Sequence, residues 1–230
     1  MTSTFLTNGT TPSKQTLSDF MATTWQDTKE YEGLEAVISS IAKGASQLGE
    51  KVQAAALIDV LGTTGKVNVQ GEIVQRLDSA GSDIFVEMLS ASEKVAAISS
   101  EEIEKPVITD KDLSRKYLVQ MDPVDGSSNI DVAISIGSIF GIWCRKENTP
   151  ITQTSLLQQG KDQIGAAYVI YGSSTILVIA TRGNVQGFTL DLEAREFIRT
   201  HPNIKFPKHC EYYSANESNF KKWTEPTQQA

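Results

Sequence analysis

The chain has 230 residues, 40% hydrophobic and 21% charged, an ordinary balance for a globular protein large enough to bury a core. Its formal net charge of −7 is spread along the chain, which excludes general nucleic-acid binding and means that an anionic small molecule needs cations as intermediaries. The two cysteines, Cys144 and Cys210, exclude zinc knuckles and CxxC redox chemistry; no apolar run reaches the roughly 20 residues of a membrane span, and the expectation is a soluble cytoplasmic protein.

Residues 1–18 are rich in Thr, Ser, Asn and Gly and read as a flexible arm without a secretory signal. Across residues 31–61, Leu34, Val37, Ile38, Ile41, Ala45, Leu48, Val52, Ala55, Ala56 and Leu57 recur at three- and four-residue steps. That stripe predicts helix, broken near Gly49 into two. Gly62, Gly65 and Gly71 among polar residues predict a mobile loop over 61–71. A second amphipathic helix follows, with Ile73, Val74, Leu77, Ile84, Phe85, Met88 and Leu89 on its buried side. Strand-like runs occupy 95–99, 117–121 and 132–143, then a hairpin of 164–171 and 175–181 about Gly172-Ser173-Ser174, then 185–190 and 196–200. Helices first and strands later predict a layered α+β fold rather than a Rossmann alternation.

The strongest chemical feature is the run Asp122-Pro123-Val124-Asp125-Gly126-Ser127-Ser128-Asn129-Ile130-Asp131 after an apolar strand. Pro123 fixes a backbone angle and Asp125-Gly126 forces a turn, so two carboxylates and the Val124 carbonyl can aim at one point. Such an oxygen-rich site suits Mg2+, while Gly126, Ser127 and Ser128 offer small side chains and amides to a phosphate. Either dipeptide alone is an ordinary turn former. Glu101-Glu102 stands at a second strand end; alone it reads as solvated surface, yet beside the first strand it would crowd four carboxylates together. Divalent cations would relieve that repulsion. In the run Asn68-Val69-Gln70-Gly71-Glu72, and on to Asp78, the acids read most simply as a first helical turn favoured by the helix dipole.

The run 122–131 resembles the signature of the fructose-1,6-bisphosphatase family, in which Leu usually stands at the place of Val124. The likeness continues in order through 68–78, 98–102, 116–131, 137–143, 165–187 and 213–217. It implies the layered α/β/α/β/α sugar-phosphatase fold, with residues 19–200 in an N-terminal domain and 201–230 opening a substrate domain. It implies hydrolysis of fructose 1,6-bisphosphate by metal-activated water, a step of gluconeogenesis, with two or more Mg2+ ions and Mn2+ or Zn2+ as substitutes. By the same resemblance Glu72, Glu101, Glu102, Asp122, Asp125 and the Val124 carbonyl are metal ligands, and Asp78 and Glu102 orient and deprotonate the attacking water. Asp125, Gly126, Ser127 and Ser128 hold the 1-phosphate, and Asn216 touches the 6-phosphate. A homotetramer is implied for the whole protein.

The family normally runs about a hundred residues past Ala230, a domain-sized stretch. It carries another glutamate ligand, 6-phosphate contacts and any peroxisome-type tail, so the chain is expected to be a fragment, inactive alone. Asn219 replaces a tyrosine found in some members. The AMP site of animal members is matched in part: Lys116 and Tyr117 fit, Thr28 and Glu30 are loose counterparts of a phosphate loop, and Cys144 falls where an arginine is expected, with Arg145 adjacent. Rival readings are a sedoheptulose-bisphosphatase or inositol-monophosphatase type enzyme, told apart by substrate preference, and a catalytically silent protein that keeps the fold.

Overall fold

The computed structural model describes residues 15–26, 28–55, 62–67, 73–110, 114–145, 150–210 and 217–229. Its first element is a helix, α1 (Leu17–Trp25), which begins inside the stretch expected to be an arm. Thr16 starts it with a capping box: its hydroxyl accepts from the Asp19 amide at 3.1 Å, and the Asp19 carboxylate accepts from the Thr16 amide at 3.3 Å. Leu17, Phe20, Met21 and Trp25 are then buried as one apolar face.

Helix α2 (Leu34–Gln53) runs unbroken where a break near Gly49 was expected. Gly49 is used for approach: a Cβ there would lie 3.3 Å from Thr175 Oγ1 and 3.5 Å from the Tyr171 ring. The expected loop over 61–71 is in part a strand, β1 (Thr63–Val67), paired antiparallel with β2 (Ile73–Gln75). Ile73 and Val74 therefore belong to β2, in keeping with their β-branched side chains, and α3 (Arg76–Ala91) starts after them. Leu77, Ile84, Phe85 and Leu89 are its buried apolar face, with Met88 half-buried.

The remaining strands are β3 (Val95–Ser100), β4 (Val107–Ile108), β5 (Tyr117–Asp125), β6 (Ile136–Cys144), β7 (Gly165–Tyr171), β8 (Thr175–Thr181), β9 (Asn184–Asp191) and β10 (Glu196–His201). They form one sheet in the order β10-β9-β8-β7-β6-β5-β3-β4. Among the described residues only β3 and β5 run parallel; every other pair is antiparallel. The strand expected from residue 132 begins four residues later, because Ser127–Val132 winds as a 3-10 helix. The architecture is α+β.

Strand alternation sorts the core. Tyr117, Val119, Met121, Phe140, Ile142, Val169 and Leu177 join Leu34, Ile38, Ile41, Leu48, Phe85 and Leu89 of α2 and α3 in the main cluster. Ala96, Ala97, Leu118 and Trp143 form a second cluster, closed by Leu156.

A parallel pair cannot be joined by a tight turn. The β3–β5 crossover is anchored by Asp110, which accepts from the amides of Ser114 and Arg115 at 3.2 and 3.0 Å and from the Arg145 guanidinium. The Arg145 and Asp110 side chains are 6% and 2% exposed, so this is an interior ion pair. Removing one partner strands the other charge in the interior. Asp110→Ala is expected to lose about 3–5 kcal/mol of unfolding free energy in urea titration; a loss under about 1 kcal/mol would show that the pair does not anchor the crossover.

Candidate active site

Because β3 and β5 are parallel neighbours, their carboxyl ends lie side by side. The register pairs Ser100 with Met121, and the Glu101 amide donates to the Met121 carbonyl at 3.2 Å. Glu101 and Asp122 are thereby brought within hydrogen-bonding reach of one another, and Asp125 is near enough for its charge to act on Asp122. The Asp122 carboxyl is pushed up to about 7: burial is the first cause, the Glu101 charge the second, with Asp125 adding to both. The Val124 amide, which donates to Asp122 Oδ1 at 3.1 Å, opposes the rise.

Two residues three apart on a flat strand point to opposite faces. β5 escapes that rule because Asp122 pairs with Ile139 and Asp125 with Gly137, three steps on β5 against two on β6. The extra residue is a bulge, and it returns the two aspartates to one side. Gly126 then turns out of the strand at φ 81°, a left-handed conformation natural to glycine, into the 3-10 helix Ser127–Val132. Asp125 and Ser128 are exposed there, while Gly126 and Ser127 are half-buried.

Asp78 departs from the simplest sequence reading. It is 4% exposed, not a solvated first-turn carboxylate. Ser82, one turn further along α3 and on the same face, places its Oγ 3.4 Å from Ser100 Oγ, and the Glu102 amide donates to that same Ser100 oxygen at 3.4 Å. The face of α3 that carries Asp78 thus packs on the strand end that carries Glu101 and Glu102. Asp78 Oδ1 and Glu102 Oε2 are sealed from solvent. Glu72 and Asn216 lie outside the described residues, as does the run 68–71.

Among the described residues, no three acidic, His or Cys side chains close into a finished cage. What the sheet assembles is a Glu101–Asp122 pair with Asp125 beside it, all hard oxygen donors, together with like charges that raise Asp122. That donor set, and the unrelieved repulsion, fit a divalent cation such as Mg2+.

The residues matched to the AMP site also meet. The Lys116 ammonium donates to the carbonyls of Lys29, Glu30 and Glu32 at 3.3, 3.0 and 3.4 Å, and the Tyr117 hydroxyl donates to the Glu32 carbonyl at 2.7 Å. Beside this turn opens a cleft of about 790 Å3 whose walls include Trp25, Thr28, Lys29, Tyr31 and Glu32. Arg145 is committed to Asp110, so its closeness to Cys144 in sequence does not restore the expected arginine. Arg182 approaches instead, 3.3 Å from Glu30. The sequence reading missed Ser82, Ser100, Ser138 and Tyr171 around the acidic site; a serine inside the apolar run Ile136–Cys144 was the available signal, since a buried hydroxyl needs a partner.

The family model described as fructose-1-6-bisphosphatase, N-terminal domain, matches residues 15–202. The chain belongs to the fructose-1,6-bisphosphatase family. Within it, the chain is 44% identical over 194 residues to the cytosolic fructose-1,6-bisphosphatase of Oryza sativa subsp. indica, covering 84% of this chain and 57% of that one. It is likewise 44% identical over 190 residues to the class 1 fructose-1,6-bisphosphatase of Sulfurihydrogenibium sp., covering 83% of this chain and 58% of that one. The chain therefore spans somewhat over half the length of these curated relatives. The crystal structure of Leishmania major fructose-1,6-bisphosphatase in holo form superposes with a TM-score of 0.87 at 32% identity, covering 95% of this chain and 68% of that one. No helix among the described residues is long and apolar enough to cross a membrane.

The raised pKa of Asp122 has a signed consequence for this family member. Folded Asp122 holds its proton to about pH 7, whereas an unperturbed aspartate loses it near 3.8. The folded state binds the extra proton between those values, so this group's contribution to stability falls as pH rises through them. In cation-free protein, Asp122→Asn is expected to remove that part of the slope, gaining on wild type as pH goes from about 4 to about 8. Chemical unfolding at several pH values with chelator present measures it, and a wild-type-minus-variant difference that stays constant would refute it.

Proposed function

We propose that the protein carrying this chain hydrolyses D-fructose 1,6-bisphosphate to fructose 6-phosphate and inorganic phosphate, a reaction that serves gluconeogenesis. The observation that carries the reading is the meeting of Glu101 and Asp122 at the ends of two parallel strands, with Asp122 held weakly acidic by burial and by the Glu101 charge. The names of the relatives support the substrate: the rice and Sulfurihydrogenibium proteins are both fructose-1,6-bisphosphatases.

In this reading Glu101, Glu102, Asp122, Asp125 and the Val124 carbonyl, together with Glu72, hold two or more Mg2+ ions, for which Mn2+ or Zn2+ can substitute. Bound magnesium would lower the pKa of water and offset charge on the phosphoryl oxygens. Asp78 and Glu102, each with an oxygen sealed from solvent, orient the attacking water and take its proton. Asp125, the amides of Gly126 and Ser127, and Ser128 hold the 1-phosphate in line for attack, and Asn216 holds the 6-phosphate. The contribution of these side chains is positional and electrostatic.

Asp122→Asn and Glu101→Gln are each expected to lower magnesium-dependent phosphate release from fructose 1,6-bisphosphate by about a hundredfold or more. Turnover near wild type in either variant, assayed in the protein that carries this chain, would defeat the assignment. Inositol 1-phosphate as the comparison substrate should be hydrolysed far more slowly.

The cleft beside Thr28, Glu30, Lys116 and Tyr117 supports a regulatory role for AMP. Lys29 lines it, Lys116 holds the turn 29–32 through its carbonyls and Arg182 lies 3.3 Å from Glu30, while burial, the Cys144 charge, and then Glu35, Glu32 and Glu30 raise the Tyr117 phenol. An AMP phosphate would compete with the three carbonyls that now hold Lys116. Inhibition by AMP is expected, and Lys116→Met is expected to weaken it by about tenfold or more, as the loss of a charged phosphate contact implies. A titration to millimolar AMP that leaves activity unchanged would remove the site.

A further inference from the structure

Behind the bulge that aligns Asp122 and Asp125 lies a buried polar chain that the family assignment does not use. Ser138 of β6, fully buried, donates its hydroxyl hydrogen to the Pro123 carbonyl at 2.6 Å. Tyr171 of β7, 3% exposed, has its hydroxyl 3.0 Å from the same serine oxygen. A serine hydroxyl has one hydrogen, and here it is given to Pro123. The Tyr171 hydroxyl must therefore be the donor to Ser138, which fixes one direction along the chain: Tyr171 to Ser138 to Pro123.

The position of this chain matters more than its strength. Ser138 stands on β6 between Ile139 and Gly137, the partners of Asp122 and Asp125, directly opposite the extra residue of β5. A bulge takes carbonyls out of the ladder, and a buried carbonyl without a donor is expensive. The serine supplies the donor. From the helix layer, α3 presses on Pro123 and Val124: a Cβ at Gly81 would come within 2.8 Å of Val124 Cγ2 and 3.4 Å of Pro123 Cβ. The segment Pro123-Val124 is thus held by the Ser138 hydroxyl of the adjoining strand and by the bare backbone of Gly81.

We infer that Ser138, oriented by Tyr171, is a positioning residue for the cation site: it holds the bulge at Pro123 so that the Val124 carbonyl and the Asp122 and Asp125 carboxylates face one point. The inference rests on the metal reading above. Without the serine the bulge can relax toward a regular ladder, which turns one aspartate to the other face.

The test is cation affinity of the folded chain, read beside its melting temperature. Wild type, Ser138→Ala and Tyr171→Phe are titrated with Mg2+ by calorimetry and with Mn2+ by electron paramagnetic resonance, whose line shape reports ligand symmetry. Ser138→Ala is expected to bind Mg2+ about tenfold or more weakly, in line with the loss of outer-shell partners at other metal sites, and to broaden the Mn2+ signal; Tyr171→Phe is expected to shift both readouts in the same direction by less. A serine that only stabilises the fold would lower the melting temperature and leave both readouts unchanged, and that result overturns the inference. Should Ser138→Ala fail to fold, Tyr171→Phe, which keeps the ring and its packing, decides alone. Wild type that binds neither ion overturns the metal reading itself; wild type that binds while the variants match it overturns only the role of Ser138.

Discussion

The parallel pairing of β3 with β5 is the constraint from which the site follows. In a sheet otherwise wholly antiparallel, neighbouring strands end at opposite edges, and no two carboxyl ends adjoin. The single parallel pair sets Glu101 beside Asp122 and gives the sheet one edge where acidic residues from separate stretches meet. Such a pair needs a crossover, and here the crossover is tied down in the interior by Asp110, which gathers two amides and the Arg145 guanidinium. Arg145 follows directly on β6, so the tie also fixes the strand that flanks β5 on its other side.

The second determinant is local. Asp-Pro-Val-Asp works because the segment is not a regular strand. Proline has no amide hydrogen, which suits a point where the ladder is already interrupted, and its ring fixes φ where the chain must bend. The Val124 amide, freed from the ladder, turns to Asp122 Oδ1. One short irregularity thus redirects two carboxylates and supplies one of them with a backbone donor.

Much of this was legible in the sequence, and what was missed shares a physical cause. The strands 117–121, 164–171 and 175–181 were readable because short apolar runs rich in β-branched and aromatic residues, bounded by a Gly-Ser-Ser turn in the hairpin, are local signals. Helix α1 was hidden because its apolar face has only four residues in a Thr- and Ser-rich surround, although the Thr16–Asp19 capping pair was present in the sequence. Gly49 suggested a break because propensity counts glycine against a helix, whereas packing against Thr175 and Tyr171 uses the missing side chain. The convergence of Glu101 with Asp122 was foreseen from strand ends, but the burial of Asp78 was not. That burial depends on α3 lying across β3, a tertiary fact that the acidic first turn does not announce.

A site made of like charges poses a mechanical problem before any ligand arrives. Glu101, Asp122 and Asp125 repel one another in the cation-free chain, and Asp122 answers by holding its proton toward neutral pH. Repulsion of that kind would spread a pliant loop and scatter the ligands. It does not scatter these because the backbone is held by two neighbours: Gly81 allows α3 to bear on Pro123 and Val124, and Ser138 holds the Pro123 carbonyl from the adjoining strand β6. Local stability is sacrificed at the carboxylates and recovered in the apolar packing around them, where Leu48, Phe85, Tyr171 and Val169 are buried. The rigid surroundings keep the charges close, and closeness is what a divalent cation rewards.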